Sequence, residues 1–547
     1  MDESNPTAEG LAVRHGKVVA VGNIEQVFKH VGHKTEVIYL NKQTLMPGFI
    51  EAHQHAVMLA LSHFMYIDIS GYNYRTADEV LKVITDHVEA AENAVKPETS
   101  WCVFMGWDPE IVPNLPTLTA TYLDEISSTI PIMIVAQNGH AAWVNHKAFE
   151  VADSLPPDQP KDAQFVVDDN GKRTGLLLEV PALEYMLGYA PQPNPKDTRR
   201  EIDKQWRDYA ERGFTTVTEI AYSSPPGMDS LLEKKALEED CPIRLALYKI
   251  GQKTVSIRST EKLWLAGAKY WADGSPHAGS MAVREPYLKS AITEVLSFPE
   301  PPNNYGHLNW GTEELFKEVR ACHDQQMQVA IHAHGERAIE QALTVYQRLQ
   351  LSAKDDRRHR LEHMGLATEA QLALCAKLGV APSMFVFHLY YYATSFRDYI
   401  LGAERTNRFA PLALATKHGC HLSIHQDHPA MVGPPTPFAN MKTAVTRTQR
   451  DNSKVVYGPE YRISIDEAVK AYTTGPAWQL FKEQEIGSLE VGKLADLVVL
   501  SANPYKVPPE QLEEIQVVET FIAGRGNGIS EMHTLPIQCV KCLTKQA

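Results

Sequence analysis

Residues 47–55 decide the fold of this chain, and they read Pro-Gly-Phe-Ile-Glu-Ala-His-Gln-His. A short apolar run that ends in two histidines is typical of a buried parallel strand with functional side chains at its carboxyl end. Side chains alternate along a strand with a period of two, so His53 and His55 lie on one face. We therefore predict that both imidazoles can bind the same metal ion.

Seven further apolar runs follow, and helical periods separate them along the chain. This alternation predicts a parallel sheet that helices bury on both faces, and eight such units match an α/β fold of the (β/α)₈ TIM-barrel class. The eight predicted strands are residues 47–53, 213–218, 243–248, 267–272, 328–332, 359–363, 379–383 and 421–427.

Both ends of the chain contain short strand-like runs, including one at residues 37–40 and one at 495–500. They predict a small composite β-sandwich domain, built from residues 1–46 and 484–547, beside a barrel at 47–483. The stretch from about 65 to 200 is too long for a simple connection between the first two barrel strands. We interpret it as a lobe inserted over the barrel mouth.

The composition is that of a globular protein, with 547 residues, 44% hydrophobic and 22% charged. The net charge of −14 gives no reason to expect nucleic acid or an anionic membrane as partner. The acidic N-terminus without an apolar segment and the seven cysteines favour a cytoplasmic protein. Cys539 and Cys542 form a lone CxxC, interpreted as two exposed tail thiols. We expect a small-molecule substrate, and a homodimer is left open.

Five titratable residues stand at the ends of predicted barrel strands, and in such barrels these ends meet at one rim. Nitrogen and oxygen ligands without cysteine favour Zn²⁺, with Fe, Mn, Co and Ni also compatible. An aspartate at the last strand can both bind a metal and accept a proton from water. The residues are His53, His55, His332, His363 and Asp427.

The sequence also resembles a known family. Residues 47–55 are similar to the first-strand signature of the amidohydrolase superfamily, and other stretches resemble the YtcJ-like amidohydrolase 3 family, which includes the N-substituted formamide deformylases. The resemblance extends over about residues 10–525. The stretches that carry it are residues 138–145, 272–275, 332–339, 361–363, 401–405, 427–429 and 487–497.

The resemblance implies one or two divalent metal ions, held by the five strand-end residues named above. Many relatives bridge two ions through a carboxylated lysine on the fourth strand, and Lys269 is the candidate here. One alternative is that Lys269 instead pairs with a carboxylate such as Asp273. Glu179 is a weaker candidate for the bridge.

The function that we predict is a metal-dependent hydrolase acting on a carbon–nitrogen bond other than a peptide bond, of the amide, N-acyl or formamide type. Metal-activated water attacks, and Asp427 serves as general base and then general acid. We assign His140 to polarising the scissile carbonyl or binding substrate, and Trp143 and Asn145 to substrate binding. A deaminase or an ester or lactone hydrolase on the same centre is an alternative. A non-catalytic scaffold is a remote one.

Three places depart from the family's pattern. His334 stands where an apolar residue is usual, His425-Gln426 replaces a common Gly-Ser, and Thr218-Glu219 replaces a frequent His-Asp. The implied ligand set stays intact, and we expect the altered positions to lie near the substrate pocket.

Overall fold

The computed structural model describes residues 6–94, 100–152, 164–192, 194–349, 352–428 and 433–527. Cys539 and Cys542 lie outside the described residues, so their predicted exposure in the tail stays a prediction.

Eight parallel strands form one sheet in which neighbours along the chain pair with each other. Each of the eight predicted runs overlaps one of these strands, and the predicted TIM-barrel fold is confirmed. The strands are β1 (Phe49–Glu51), β2 (Phe214–Tyr222), β3 (Arg244–Ile250), β4 (Leu263–Trp271), β5 (Gln328–Ala333), β6 (Arg360–His363), β7 (Ala381–Met384) and β8 (Ser423–Ile424).

The sheet closes through a short segment rather than through a direct ladder between its first and last strands. The N–H of Ile50 in β1 donates to the carbonyl of Tyr472 at 2.8 Å, and the N–H of Ile424 in β8 donates to the carbonyl of Ala471 at 3.3 Å. Residues 471–472 therefore link β8 to β1. The carboxyl ends of all eight strands consequently face one rim.

Helices cover the outside of the barrel because each buries one apolar face. In Glu336–Arg348 the buried Ile339, Leu343 and Tyr346 lie at helical spacing, and the hydroxyl of Tyr346 donates to the carbonyls of residues 329 and 360 in β5 and β6. The helices that follow or precede barrel strands are Pro195–Glu211, Met228–Ala236, Ala291–Val295, Thr312–Asp324, Glu336–Arg348, Glu369–Leu378, His388–Ser395, Ala403–Arg408, Leu412–Lys417, Pro437–Thr446, Ile465–Lys470 and Thr474–Gln479.

A second sheet of six strands lies between β1 and β2 in the sequence, inside the predicted insertion of residues 65–200. Its description as a separate lobe over the barrel mouth stays a prediction. In spatial order its strands are Ile67–Asp68, Cys102–Trp107, Ile132–Ala136, Ala141–Val144, Arg173–Leu178 and Gln164–Val167. The helices of the same segment are Met58–Met65, Ala77–Glu92, Ala120–Ile126, His146–Val151 and Val180–Leu187.

Strands from both ends of the chain share a four-stranded antiparallel sheet. Thr44–Pro47 pairs with Leu497–Leu500, which pairs with Val517–Ile522 and then Arg525–Gly526. Gly10–Arg14 and Lys17–Gly22 form a separate hairpin next to the helix Ile24–Phe28, and Thr448–Gln449 pairs with Asn452–Val456. The composite sheet agrees with strands contributed by both ends, and a β-sandwich domain stays a prediction.

The predicted strand at residues 37–40 is wrong, because these half-buried residues form no regular strand. The strand that this region contributes is Thr44–Pro47, whose partner is Leu497–Leu500. Its pairing is set by a segment about 450 residues away, which local alternation of residue types does not reveal.

A buried ion pair connects the C-terminal sheet region to the barrel. The guanidinium of Arg244 in β3 donates from Nε to Oδ2 of Asp496 at 2.6 Å and from Nη2 to Oδ1 at 3.0 Å. Both side chains are buried. Among the described residues, no helix has the length and apolar character needed to cross a lipid bilayer.

Candidate metal centre

Asp427 lies at the middle of the predicted ligands. Its Oδ1 atom is 3.4 Å from Nε2 of His53 and 3.3 Å from Nε2 of His55, and its Oδ2 atom is 3.9 Å from Nδ1 of His363. These residues follow or end β1, β6 and β8. The structure thus brings together side chains that are more than 300 residues apart in the sequence.

His332, on β5, completes this group of rings. Its ring centroid lies 4.3 Å from that of His363, and the centroids of His53 and His363 are 4.6 Å apart. All five residues predicted at strand ends therefore lie in one contiguous cluster. Nε2 of His332 also lies 3.2 Å from the carbonyl oxygen of Gly274.

The donor set fits a divalent cation. His53, His55 and Asp427 each offer one atom, and these atoms lie within 4.8 Å of one another. Oδ1 of Asp427 and Nδ1 of His363 are buried without a hydrogen-bond partner in the part of the chain that the structure describes. Leaving such atoms unpaired costs about 1–3 kcal/mol each. Imidazole nitrogens and carboxylate oxygens are suitable ligands for a divalent metal, which would satisfy them.

Two buried carboxylates hold the outer nitrogens of the His53–His55 pair. Nδ1 of His53 lies 2.6 Å from Oε2 of Glu362, and Nδ1 of His55 lies 3.2 Å from Oε1 of Glu219. Each carboxylate fixes the orientation of its imidazole, so both Nε2 atoms face Asp427. Glu219 was expected only near the substrate pocket, and Glu362 was not predicted as part of the site. A carboxylate inside or directly after a predicted barrel strand was the available signal.

The Glu362 carboxylate is itself held by a guanidinium. Nε of Arg360 donates to its Oε1 and Nη2 to its Oε2, both at 2.8 Å. Burial alone would raise the pKa of Glu362, but Arg360 outweighs it and holds that pKa well below its usual range. A permanently ionised acceptor therefore stands behind His53.

The charges of the cluster support each other. Burial would raise the pKa of Asp427, but His53 and His55 outweigh it and hold that pKa well below its usual range. Burial lowers the pKa of His55, yet the nearby carboxylates of Asp427 and Glu219 raise it to about 9. The carboxylate of Asp427 is thus ionised at neutral pH, as a ligand or a proton acceptor must be.

Two residues of the centre have strained backbones. The φ angles of His363 and Asp427 are 72° and 52°, in the left-handed region that residues other than glycine seldom adopt. Backbone strain of this kind is concentrated at functional sites, where the surrounding structure maintains it.

Lys269 is buried on β4, as a bridging lysine would be. Burial lowers its pKa to about 8, although Glu362 and Asp427 partly offset the effect. Among the described residues no carboxylate lies within ion-pair distance of Lys269. The carboxylate of Asp273 instead accepts backbone N–H groups of residues 282, 334 and 335. The alternative of a Lys269–Asp273 pair is therefore not formed.

His140 reaches the centre from the six-stranded sheet region. Its ring centroid lies 6.0 Å from that of His332, and its Nδ1 lies 2.8 Å from Oε2 of Glu179. Burial lowers the pKa of His140, but the charge of Glu179 outweighs it and raises that pKa. Glu179 thus orients His140, and its φ of 68° lies in the left-handed region. Its role as an alternative metal bridge stays a prediction.

Trp143 and Asn145, predicted to bind substrate, have structural contacts. Trp143 is packed in the apolar core of the six-stranded sheet. The side chain of Asn145 accepts the N–H groups of residues 132 and 148 and donates to the carbonyls of 127 and 130. These contacts give both residues a role in holding the sheet and the helix His146–Val151, and their role in substrate binding stays a prediction.

Two further histidines lie face to face with candidate ligands. The ring centroids of His334 and His363 are 4.5 Å apart, and the angle between their planes is 8°. The ring centroids of His425 and His53 are 4.4 Å apart, and the angle between their planes is 15°. Lone pairs of imidazole nitrogens lie in the ring plane, so two parallel stacked rings do not direct them to a common point. His334 and His425 therefore stack on ligand rings, and each also belongs to a group of three residues whose ligand atoms lie within 4.8 Å of one another: His332, His334 and His363, and His53, Glu362 and His425.

Comparison with known proteins adds the following. The model described as the amidohydrolase family matches residues 36–526. Protein LONG AFTER FAR-RED 3 of Arabidopsis thaliana is 28% identical over 550 residues, covering 96% of this chain and 89% of that protein. The N-substituted formamide deformylase of Arthrobacter pascens is 25% identical over 557 residues, covering 96% of this chain and 95% of that protein.

A solved structure shares the fold. An uncharacterized metal-dependent hydrolase from Pyrococcus horikoshii OT3 superposes with a TM-score of 0.68 at 22% sequence identity, covering 91% of this chain and 95% of that one. At this identity the likeness shows the fold alone.

Proposed function

Since this chain belongs to the amidohydrolase family, we propose that it hydrolyses a C–N bond of the amide, N-acyl or formamide type in a small molecule. Family membership and the His/Asp clusters support metal-dependent hydrolysis in general. The observation that carries the proposal is the convergence of His53, His55 and Asp427 around one point, with the carboxylate of Asp427 ionised.

The ligands we propose are nitrogen and oxygen donors, which favour Zn²⁺. A divalent ion bound there would lower the pKa of water from about 15.7 towards 7 and polarise a carbonyl. The residues that would hold one or two ions are His53, His55, Lys269, His332, His363 and Asp427.

Asp427 would act as general base and then general acid. One oxygen of its ionised carboxylate accepts a proton from the attacking water, and the same carboxyl then donates it to the leaving nitrogen. His53 and His55 keep the carboxylate ionised before the first transfer. General acid–base catalysis of this kind contributes about 10²–10⁴-fold to rate.

His140 would stabilise the carbonyl oxygen as negative charge develops on it. Glu179 accepts from Nδ1 of His140, which leaves Nε2 of this imidazole as the atom available to substrate. The raised pKa of His140 favours the protonated ring, whose Nε2–H is a charge-assisted donor. Trp143 and Asn145 remain candidates for substrate binding.

The proposal also covers the cellular location and the binding partners of the protein. We expect a small-molecule substrate, a cytoplasmic location and no nucleic-acid or membrane partner, and a homodimer is one possible assembly.

A substrate panel tests the reaction class. Secondary formamides, acyl amides, amino-heterocycles, esters and lactones are offered to metal-loaded protein, and released amine, ammonia and alcohol are measured. Amine release supports the proposal, whereas ammonia from an amino-heterocycle indicates a deaminase and alcohol an ester or lactone hydrolase. Turnover of no member would support the non-catalytic scaffold.

The matched variants are Asp427→Asn and Asp451→Asn, since Asp451 is exposed. Asp427→Asn should lose at least about 100-fold in kcat with the circular dichroism spectrum retained. Near-full turnover in Asp427→Asn would show that the assigned base is wrong.

A further inference from the structure

Beside the candidate metal centre lies a buried hydrogen-bonded chain of three side chains that includes none of the proposed ligands. Nδ1 of His277 lies 2.6 Å from Oε1 of Glu110, and Nε2 of His277 lies 3.0 Å from Nδ1 of His388. Glu110 follows the strand Cys102–Trp107, His277 follows β4 and His388 begins the helix after β7. The chain therefore connects the six-stranded sheet region to the barrel.

The helix that presents His388 is fixed to the same loop at two more points. The hydroxyl of Ser395 donates to Oε2 of Glu110, and the hydroxyl of Tyr392 donates to Oδ2 of Asp108, each at 2.6 Å. Both carboxylates are buried. His388 is thus held in a defined position rather than on a mobile loop.

Proton counting along the chain sets the tautomer of His388. The carboxylate oxygen of Glu110 is the acceptor in its contact with His277, so His277 carries its proton on Nδ1. With its ring proton on Nδ1, His277 accepts at Nε2, and His388 donates to it from Nδ1. Neutral His388 is left with a bare lone pair on Nε2. Burial and the neighbouring His277 and His334 hold the pKa of His388 well below its usual range, which favours the neutral ring.

The ring that carries this nitrogen lies close to the candidate metal centre, and the nitrogen itself makes no hydrogen bond within the described part of the chain. Nε2 of His388 is buried and has no hydrogen-bond partner among the described residues. The ring of His388 lies 4.1 Å from that of Phe385 and 5.3 Å from that of His334. The ring centroid of His363 lies 5.6 Å from that of Phe385 and 4.5 Å from that of His334. The ring that carries the bare nitrogen thus lies one ring away from His363, a proposed ligand.

We propose that His388 binds substrate, its Nε2 accepting a hydrogen bond from a substrate N–H, and that Glu110 is a positioning residue which sets the tautomer of His388 through His277. The inference rests on the proposed C–N hydrolysis. A secondary amide or formamide carries an N–H beside its scissile carbon, and its N-methylated tertiary counterpart does not. The site therefore favours secondary substrates.

His388→Asn removes the acceptor selectively. The amide nitrogen of asparagine overlaps the position of Nδ1, so it can still donate to His277, but nothing replaces Nε2. We expect the ratio of kcat/KM for a secondary formamide to that for its N-methyl derivative to fall about three- to tenfold, the effect of one hydrogen bond. His323→Asn is the control, because His323 forms another histidine pair, at 3.1 Å from His359 on the outside of the barrel.

The outcomes distinguish failure of the role assigned to His388 from failure of the proposed C–N hydrolysis. A ratio that His388→Asn leaves unchanged, in a wild type that hydrolyses formamides, overturns the role of His388 alone. A wild type that hydrolyses no amide, N-acyl or formamide substrate of the panel contradicts the proposed function, and the tautomer then decides the present inference.

The tautomer is measured in unliganded protein by ¹⁵N spectroscopy of histidine-labelled chain, with His388 assigned from its absence in His388→Asn. We expect a proton on Nδ1 and a bare Nε2, and loss of this preference in Glu110→Leu. A proton on Nε2 of His388 in the wild type would overturn the proposal, and this wild-type result does not depend on how well Glu110→Leu folds.

Discussion

The Nδ1 atom of His53 lies 2.6 Å from Oε2 of Glu362, and the opposite nitrogen of the same ring lies 3.4 Å from Asp427. His53 therefore joins a buried carboxylate, neutralised by Arg360, to the middle of the proposed metal centre. A carboxylate in this position fixes the tautomer and the orientation of a ligating imidazole and raises its basicity.

Removing the charge of Glu362 should weaken metal binding without removing a ligand. In Glu362→Gln we expect divalent-metal affinity to fall about 10–100-fold, the usual effect of losing such a partner. Competition with a chromophoric chelator measures this. Glu483→Gln is the control, since Glu483 pairs with another guanidinium, that of Arg358. Equal affinities in wild type and Glu362→Gln would contradict the role assigned to this contact.

Lys269 should carry a carbamate when the protein is loaded with metal. The neutral amine attacks CO₂ and releases a proton, and lowering the pKa of Lys269 to about 8 raises the neutral fraction of the amine at neutral pH. Protein loaded in ¹³C-bicarbonate should show one carbamate carbon signal by NMR, absent in Lys269→Met. A wild-type spectrum without that signal would mean that Lys269 acts only as an amine.

His359 should make stability depend on pH. Burial lowers its pKa to about 3, whereas an exposed histidine titrates near 6.5. The unfolded chain therefore binds the extra proton first, and this residue's contribution to stability falls as pH drops from about 6.5 towards 3.

The variant His359→Asn isolates this effect, because an amide oxygen can still accept the Val329 N–H that Nδ1 accepts. From pH 6 to 4.5 the metal-free wild type should lose up to about 1.4 kcal/mol per pH unit more than the variant. Urea denaturation across this range measures the difference. Parallel pH curves would show that His359 is charged in the folded protein.

The ion pair between Arg244 and Asp496 should be required for stability. Asp496→Asn leaves the buried guanidinium with only its exposed partner Glu261, and breaking a buried pair in this way destabilises by about 3–5 kcal/mol. Glu261→Gln removes the exposed partner of the same arginine, and we expect at most about 1 kcal/mol. Thermal denaturation of both variants makes the comparison. Similar losses in the two would contradict the importance given to burial.

Much of the fold was predictable because buried, mostly apolar runs alternate with helical periods, and strand order in such barrels follows chain order. The clustering of His53, His332, His363 and Asp427 followed from their places at strand ends. The strand at residues 37–40 was mispredicted because strand pairing here depends on a remote segment. A window of local residues contains no information about that partner.

The supporting residues of the centre were harder to predict. The contact of Glu362 with His53 spans 309 positions, and that of Glu179 with His140 joins two loops of the six-stranded sheet region. Neither follows from periodicity or spacing. Asn145 shows a different difficulty. It was predicted to bind substrate, but the hydrogen bonds of its side chain are made with the backbone.

Metal analysis of the purified protein tests the central claim most directly. We predict one or two divalent ions per chain after loading and desalting, and a loss of at least one ion in the double variant His53→Ala/His55→Ala with its circular dichroism unchanged. A wild type that retains no ion under these conditions, or a double variant that retains the full wild-type content, would contradict the account.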